Sequence, residues 1–316
     1  MADINAVAEQ RSQDPHIYRA DPPPAPKLRK AWQLLEQYSH VPASEIEGHV
    51  RDVRDRAWAV FPYNCIGRWR FLDLYITTLP QYPELLRRLT HENETLLDVG
   101  CCFGQALRQL SHDGAPQQSL VGSDLRKEFI DLGYELFRDR DTFKGRFVAG
   151  NMLDPDDASV KGLDGTVDMI HAASFFHLFG WDDQVKVGQR MVRFFKGEAR
   201  AMIVGRQAGT HEAGGFAREE GKRYIHSQQS MRRLWDEIGN RTGTKWVVEA
   251  ELNDSLNDID DLHNDGREGE GEGKETGEDK EREGRGEGGG RAAERGEHEE
   301  RKRGMTIRFC IRKVIG

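Results

Sequence analysis

Apolar positions in the first ninety residues recur at the spacing of amphipathic helices. This spacing predicts helices from Lys27 and over residues 82–89. A further helix is predicted after Ser44, because Ser44 followed three residues later by Glu47 is the pattern of a capping box. Residues 61–79 are rich in aromatic side chains and fit neither the helical nor the strand period. The beginning of the chain is therefore expected to be mainly helical.

From residue 95 onward, short apolar runs alternate with stretches of helical spacing. Such runs are typical of strands that are buried on both faces of a parallel sheet. Strands are predicted at residues 95–99, 119–124, 146–150, 167–172, 199–204, 245–251 and 306–314, and helices at 105–111, 127–138, 182–195 and 230–239. This alternation predicts an α/β fold with a doubly wound, mostly parallel sheet of seven strands behind an N-terminal helical lid. No helical pattern separates the last two strands, so a hairpin should join them and the final strand should be antiparallel.

A charged segment separates the last two predicted strands. Residues 264–304 contain 12 glycines, 14 acidic and 10 basic residues, and two alanines are their only apolar residues. This composition buries too little apolar surface to offset the entropy of ordering, which predicts disorder. The predicted organisation is a flexible lead over 1–26, a helical lid or dimerisation segment over 27–90, a core over 91–263, the insertion over 264–304 and the last strand over 305–316.

Composition and charge exclude several classes of protein. The chain of 316 residues carries 46 basic and 54 acidic side chains, a net charge of −8, whereas binding of nucleic-acid phosphates favours a basic surface. The sequence contains no run of about 18 apolar residues, the length that a membrane span requires. Residues 1–10 lack the pattern of a signal peptide. We therefore expect a cytoplasmic protein that binds neither nucleic acid nor membrane. The cysteines lack the spacing of a metal site and are expected to be reduced thiols: Cys65, Cys101, Cys102 and Cys310.

A glycine-containing turn follows the first predicted strand. Ligands of doubly wound sheets lie beyond the carboxyl ends of the strands, so this turn is a candidate binding site. A dinucleotide fingerprint would need glycine at positions 100, 102 and 105, and only Gly100 fits it. The methyltransferase pattern DxGxGxG is matched at Asp98, Gly100 and Gly104, whereas Cys102 replaces the middle glycine. The turn therefore favours S-adenosylmethionine over a dinucleotide.

Two further strand ends carry side chains that suit a nucleoside. Asp124 ends the second predicted strand, where its carboxylate can accept hydrogen bonds from both ribose hydroxyls. An aspartate that only caps the following helix is the alternative. Asn151 and Met152 follow the third strand, where an amide can pair with the adenine edge and a thioether can pack on its face. An ordinary pair of loop residues is the alternative there.

Several ordered motifs give the chain a family resemblance. The stretches 96–104 and 122–126 resemble class I S-adenosylmethionine-dependent methyltransferases, which have a Rossmann-like sheet. More narrowly, the chain resembles fungal methyltransferases of meroterpenoid and polyketide biosynthesis, such as those of the austinol and terretonin pathways. The narrower cues are residues 54–58, 71–74, 131–134, 171–181, 205–207 and 234–235. The resemblance covers about residues 30–254 and 305–314 and does not extend to the charged insertion.

The resemblance implies an activity, a cofactor and partners. It implies that a methyl group passes from S-adenosyl-L-methionine to a carboxylate or hydroxyl of a polyketide-terpenoid intermediate of secondary metabolism, and it implies a homodimer. A carboxylate acceptor is already ionised at neutral pH, whereas a phenol of pKa about 10 would benefit from a base. The candidate cofactor-binding residues are Asp98, Gly100, Cys102, Gly104, Asp124, Leu125, Asn151 and Met152.

Side chains after the fourth and fifth strands are candidates for binding the acceptor. His177 is the candidate catalytic base or orienting group, with a packing role as the alternative, and His171 is expected to be bonded within the sheet. Arg206 can pair with a substrate carboxylate or form a structural salt bridge. Phe175 and Trp181 can line an apolar substrate pocket or belong to the core.

Two other functions remain open at this point. A nicotinamide-dependent reductase of Rossmann type fits the fold class, but the glycine spacing disfavours it. The chain also lacks a clear Tyr-x-x-x-Lys pair, because Tyr134 is followed by Arg138 at the lysine position. A non-catalytic binding protein could use the same fold, with the charged insertion as its interaction arm.

Overall fold

A sheet of seven strands forms the centre of the computed structural model, which describes residues 17–197, 200–218, 221–254 and 305–314. Within these residues the strands are β1 (Leu96–Val99), β2 (Leu120–Asp124), β3 (Arg146–Ala149), β4 (Met169–His171), β5 (Met202–Gly209), β6 (Gly214–Arg218), β7 (Gly221–Ile225), β8 (Trp246–Asp254) and β9 (Met305–Lys313). The helices of the same residues are α1 (Ala25–Gln37), α2 (Ile46–Val60), α3 (Asn64–Gly67), α4 (Tyr82–His91), α5 (Gln105–His112), α6 (Lys127–Phe137), α7 (Ala158–Lys161), α8 (Trp181–Phe194) and α9 (Gln228–Thr242).

The strands of the sheet follow the order β3-β2-β1-β4-β5-β9-β8. β1 to β5 are parallel, and β9 pairs antiparallel with both β5 and β8. The predicted doubly wound, mostly parallel sheet with an antiparallel last strand is therefore confirmed. β5 extends to Gly209, beyond the predicted end at 204, because its second half pairs with β9 as far as Gly209↔Met305. The predicted first residue of this strand, 199, lies outside the described residues.

Alternate residues of β1 face opposite layers of the core. Leu97 and Val99 pack in one cluster with α8, α9 and β9, whereas Leu96 packs in another with α4 and α5. All four residues of β1 are buried. A strand covered on both faces has no solvated side, which explains why its sequence is an apolar run interrupted only by Asp98.

The N-terminal helices pack against the core beside α6. Side chains of α1, α2 and α6 share a buried cluster that also contains Phe103 of the turn after β1. α2 begins at Ile46 with Glu45 as its N-cap and without a side-chain cap, so the predicted capping box is wrong. Ser44 lies instead in a turn that Glu45 N closes by donating to Pro42 O at 2.8 Å.

Residues 61–79, whose structure the sequence leaves open, form short helical turns. α3 is followed by 3-10 turns at Arg70–Leu72 and Tyr75–Thr78. Trp69 Nε1 donates to Arg19 O at 3.0 Å, and Arg54 Nη2 donates to the same carbonyl. These bonds connect the described end of the predicted lead to the N-terminal helices. Residues 1–16 of that lead lie outside the described residues.

The sequence pattern misses the hairpin of β6 and β7 and the short helix α7. Both hairpin strands have five residues and contain glycine and charged side chains, so they lack a period-2 apolar alternation. Tyr224 N donates to Phe179 O, and Arg223 Nε donates to His177 O, each at 2.9 Å. The hairpin thereby contacts the segment that follows β4. α7 has only four residues, too few to give a helical pattern.

Shortening the connection between β8 and β9 is expected to leave the sheet intact. Asp254 lies opposite Met305 in the antiparallel register, so a turn of about four residues can join the two strands. Replacing residues 255–304 by such a turn should raise the free energy of unfolding by about 2 kcal/mol, because a shorter loop costs less entropy to close. Denaturant unfolding measures this difference.

A Gly/Ser segment of the original length is the matched control and should leave the free energy of unfolding unchanged. Loss of cooperative unfolding in either variant would show that the insertion contributes to packing. The predicted disordered stretch, 264–304, lies outside the described residues.

Candidate active site

Three residues with positive φ shape the turn after β1. Gly100, Cys102 and Gly104 have φ angles of 67°, 51° and 66°. A Cβ at Gly100 would lie 2.8 Å from Phe175 Cδ2, so this position requires glycine for space as well as for its backbone angle. Cys102 adopts the left-handed region although it carries a side chain, and its N–H donates to Asp124 Oδ2 at 2.8 Å. Although Cys102 replaces the middle glycine of DxGxGxG, the backbone φ is positive at all three glycine positions of the pattern.

A buried ion pair supports this turn. Arg108 of α5 donates from Nε and Nη2 to the two carboxylate oxygens of Asp139, each at 2.9 Å, and from Nη1 to Phe103 O at 3.0 Å. The side chains of Arg108 and Asp139 are almost fully buried. Tyr38 Oη, at the end of α1, also donates to Asp139 at 2.9 Å. The network thus ties the turn to the N-terminal helices.

Asp124 lies beside the turn at the end of β2. One of its oxygens accepts from Cys102 N, and the other accepts from Arg126 N at 3.0 Å. Asp124 is therefore a turn-capping residue, yet each oxygen retains a lone pair for a ligand hydroxyl. Burial raises the pKa of Asp124 above its usual value, and the two backbone hydrogen bonds oppose that shift. Leu125, 56% exposed, adds apolar surface next to the carboxylate.

Asn151 and Met152 follow β3, the neighbour of β2. Asn151 is exposed, and its Oδ1 accepts from Leu153 N at 2.9 Å, a bond that does not use its NH2 group. Met152 is half-buried and packs against the main core cluster. Asn151 therefore has the loop role that was its alternative, and its amide donor stays available for a base edge.

Asp98 and His171 are register partners on the adjacent strands β1 and β4. Asp98 Oδ1 lies 2.7 Å from His171 Nδ1, and both residues are 4% exposed. Since an ionised carboxylate only accepts, this bond puts a hydrogen on Nδ1. The expectation that His171 is bonded within the sheet is confirmed. Its Nε2 is buried and has no hydrogen-bond partner among the described residues.

A cavity of about 60 Å³ opens beside the start of the turn. Strand ends, the 3-10 segment and α5 all contribute to it. Its lining residues are Asp73, Leu74, Tyr75, Ile76, Asp98, Gly100, Cys101, Gln105, Ala106, His171 and Ala173. The space is thus bordered by polar groups at the carboxyl ends of β1 and β4, where a ligand of this fold class binds.

Arg206 and His177 are both held by contacts within the protein. Arg206 Nη2 donates to Asp73 Oδ2 at 2.8 Å, and its guanidinium lies 3.9 Å from the centre of the Tyr75 ring. Arg206 therefore has the salt bridge that was its alternative, and both of these partners line the cavity. His177 N donates to Gln207 Oε1 at 3.2 Å, and its carbonyl accepts from Arg223 of the hairpin. These bonds fix the backbone of His177 between β5 and β7.

The two aromatic candidates lie in different surroundings. Phe175 is 7% exposed and contacts Gly100, so it borders the turn while it belongs to the core. Trp181 begins α8, and its Nε1 donates to Glu237 of α9 at 2.8 Å. Its ring packs edge-on against Tyr224 of the hairpin. The structure thus brings Phe175 to the turn and places Trp181 between α9 and the hairpin.

Sequence reasoning misses Asp73, Tyr75 and Gln105 as residues of the site. Asp73 and Arg206 are 133 residues apart, and nothing in their local sequence indicates that they pair. The contact of Asp98 with His171 could have been found, because both occupy matching positions near the ends of neighbouring parallel strands. A polar residue in each of two buried runs is the signal.

The described residues contain neither a group suited to a metal ion nor a helix able to cross a membrane. Among them, the side chains of His, Cys, Asp and Glu form no group of three or more suited to a metal ion. None of the helices in those ranges combines the length and the apolar character that crossing a bilayer requires. The four cysteines are free thiols.

Two family models match separate ranges of this chain. Residues 17–72 match the meroterpenoid methyltransferase N-terminal domain, and residues 96–198 match the methyltransferase domain. O-methyltransferase phiE of a fungal species is 43% identical over 224 residues, which cover 70% of this chain and 75% of that protein. The chain belongs to this family of fungal methyltransferases.

Other members of the methyltransferase family are similar to the same extent. The asnovolin E/chermesin D methyltransferase nvfJ of Aspergillus novofumigatus is 42% identical over 222 residues, covering 69% of this chain and 79% of its own. Methyltransferase trt5 of Aspergillus terreus is 40% identical over 220 residues, covering 69% and 78%. The family assignment favours neither the reductase nor the non-catalytic binding protein.

Solved structures provide a more distant likeness. The phosphoethanolamine N-methyltransferase 2 of Haemonchus contortus, in complex with S-adenosyl-L-methionine, is 12% identical, with a TM-score of 0.46 over 84% of this chain and 60% of that chain. This likeness is too distant to transfer the role of any residue.

Proposed function

We propose that this methyltransferase passes a methyl group from S-adenosyl-L-methionine to a carboxylate or hydroxyl oxygen of a polyketide-terpenoid intermediate. The observation that carries the proposal is the turn with three positive φ angles, closed by the bond from Cys102 N to the Asp124 carboxylate. Such a turn exposes backbone to a ligand, and the carboxylate beside it suits a ribose diol. The names of the fungal relatives support an O-methyltransferase of small molecules.

The chain offers a set of contacts that fits the cofactor. Asp124 would accept from the ribose hydroxyls, Leu125 and Met152 would contact the adenine faces, and the Asn151 amide would donate to its edge. The turn would lie beneath the rest of the cofactor, and the residues that shape it are Asp98, Gly100, Cys102 and Gly104. When bound, the sulfonium supplies an electrophilic methyl group. The residues then have to orient the acceptor and exclude water, which can account for a large share of the rate.

Two residues are proposed for the acceptor, according to its chemistry. An acceptor carboxylate can replace Asp73 on Arg206, whose partners Asp73 and Tyr75 line the cavity. A hydroxyl acceptor would benefit from a base, and His177 is the candidate for that role. Phe175 and Trp181 are proposed to contribute to an apolar wall for the carbon skeleton. A carboxylate acceptor needs no proton transfer, so Arg206 alone would suffice to orient it.

The same proposal includes a cytoplasmic enzyme and a homodimer. Residues 27–90 are its candidate lid or dimerisation surface, because α1 and α2 share a buried cluster with Phe103 of the turn and Tyr38 donates to Asp139. Reduced cysteines fit a cytoplasmic location.

Methyl transfer is tested directly with a labelled donor. The purified chain is incubated with S-adenosylmethionine carrying a tritiated methyl group and with an extract of polyketide-terpenoid intermediates. Label is expected in an organic-soluble product, and base hydrolysis that releases it as methanol identifies an ester. Calorimetry with NADPH is the control and should give no binding. Binding of NADPH without transfer of label would favour the reductase.

A further inference from the structure

A single side chain, that of Asp157, closes the loop after β3. Its Oδ2 accepts from Asn151 N at 2.8 Å, and its Oδ1 accepts from Val160 N at 3.0 Å. Asp157 is the N-cap of α7, so the bond to Val160 is an ordinary helix cap. The bond to Asn151 runs back to a residue that is proposed to contact adenine, and a helix cap does not require it.

The same carboxylate packs against the backbone that precedes Asn151. A Cβ at Gly150 would lie 2.9 Å from Asp157 Oδ2 and 2.6 Å from Val160 Cγ2, so this close approach requires glycine. The end of β3 and the start of α7 are therefore held together at this carboxylate.

Residues 151–154 form a turn that starts from this bond. Asn151 O accepts from Asp154 N at 3.1 Å, and Asn151 Oδ1 accepts from Leu153 N at 2.9 Å. None of these bonds uses the NH2 group of Asn151. The direction of that NH2 group therefore depends on the backbone position that Asp157 holds.

Arg190 of α8 supports the loop and its carboxylate. Arg190 is 5% exposed, and its Nη1 donates to Pro155 O of the loop at 3.4 Å. The bonds from Asn151 N and Val160 N lower the pKa of Asp157, and the positive charge of Arg190 lowers it further. Asp157 is therefore ionised at neutral pH, with both oxygens available as acceptors.

We propose that Asp157 is a positioning residue for adenine recognition: its bond to Asn151 N sets the direction in which the Asn151 amide meets the base. This assignment rests on the proposed function, since it concerns the adenine of that cofactor. Asp157 acts through Asn151 and need not touch the ligand itself.

Asp157→Ser tests this role, because serine offers one oxygen that can cap α7 and no second oxygen for Asn151 N. The variant should bind S-adenosylhomocysteine about 5- to 20-fold more weakly in calorimetry, since a hydrogen bond to the base is no longer aligned. Asn151→Ala should show a similar loss. The double variant should lose no more than the weaker-binding single variant, because both changes remove the same contact.

Base analogues give a readout that a general loss of structure would not produce. Three analogues of S-adenosylhomocysteine carry CH in place of N1, N3 or N7 of adenine, so each lacks one acceptor. The wild-type chain should bind one of them about 5- to 20-fold more weakly than S-adenosylhomocysteine, which identifies the nitrogen that accepts from Asn151. Asp157→Ser should change the affinity for that analogue by less than about twofold.

Two further variants complete the series. Asp154→Ser is the matched control: Asp154 lies in the same loop, but its carboxylate accepts from Asp156 N at 2.9 Å instead of from Asn151 N. It should leave all affinities unchanged. Asp157→Asn serves if Asp157→Ser fails to fold, because its amide can keep only one of the two bonds. Its loss should be about two- to fivefold and should again be absent for the analogue.

The same measurements show how the proposal would fail. An equal loss for S-adenosylhomocysteine and the analogue would give Asp157 a general structural role. Losses that add in the double variant would show that Asp157 acts independently of Asn151, and a wild-type chain that binds all three analogues as tightly as S-adenosylhomocysteine would have no ring nitrogen on Asn151. Each of these results overturns the proposal, whereas a wild-type chain that does not bind S-adenosylhomocysteine overturns the proposed function itself.

Discussion

Replacing Asp124 by alanine is expected to lower the affinity for S-adenosylhomocysteine by about 100- to 1000-fold. The carboxylate can accept two charge-assisted hydrogen bonds from a ribose diol, and both are lost in the variant. The same carboxylate accepts from Cys102 N and Arg126 N, so the shape of the turn also depends on it. Isothermal titration calorimetry measures the affinity, and circular dichroism verifies that the sheet remains.

Asp124→Asn is the control that removes the charge and keeps one of the two backbone bonds. Its amide oxygen can still accept from Cys102 N, whereas its NH2 group cannot accept from Arg126 N. We expect losses of affinity and of melting temperature that are smaller than those of Asp124→Ala. Full affinity in both variants would remove Asp124 from the cofactor site.

Protonation of Asp124 at low pH should stabilise the ligand-free fold and weaken the binding of the cofactor. Burial raises its pKa, so the folded ligand-free chain takes up a proton at higher pH than the unfolded chain does. Between the two pKa values, lowering the pH therefore stabilises the fold through this group. Cofactor affinity should fall over the same range, since protonation removes the charged acceptor.

Replacing Asp139 by alanine should lower the free energy of unfolding by about 3–5 kcal/mol, the usual effect of leaving a buried charge without its partner. Arg108 would keep its bond to Phe103 O and lose both bonds to the carboxylate. For a chain of this size the melting temperature should fall by about 10 °C. Differential scanning calorimetry measures both quantities.

An exposed aspartate provides the comparison for Asp139. Asp131 pairs with Lys127 and Arg140 on the surface, so Asp131→Ala should cost less than about 1 kcal/mol. The double variant Arg108→Met, Asp139→Leu should be less destabilised than Asp139→Ala, because no buried charge is left unpaired. A double variant as unstable as the single one would contradict this account.

The sequence predicts the parts of the fold that depend on short-range pattern. The buried strand at Leu96–Val99 and the turn that follows it were predictable, because an apolar run that ends in glycine has few alternative structures. The position of Asp124 follows from the same pattern, since it ends the next strand along the chain. The antiparallel direction of β9 was predictable because the sequence before it has no helical pattern.

Contacts between distant segments were not predictable in the same way. The pairing of Asp73 with Arg206 depends on how a 3-10 turn packs beside β5, and no local spacing encodes it. The hairpin of β6 and β7 lacks an apolar alternation, so it takes its place through bonds such as Tyr224 N to Phe179 O. The capping box failed because a competing turn at Pro42 delays the start of α2.

The position of β9 between β5 and β8 sets an order of events during synthesis. Among the described strands, β8 pairs by backbone hydrogen bonds with β9 alone, and fifty residues separate the two in the chain. While the ribosome translates the intervening segment, β8 has no neighbour with which to pair, and β5 presents an open edge. The apolar side chains Ile307, Phe309 and Ile311 then arrive together and close the core cluster. Nascent chains arrested before residue 305 should therefore engage chaperones, and release of that engagement should coincide with emergence of the last strand from the exit tunnel.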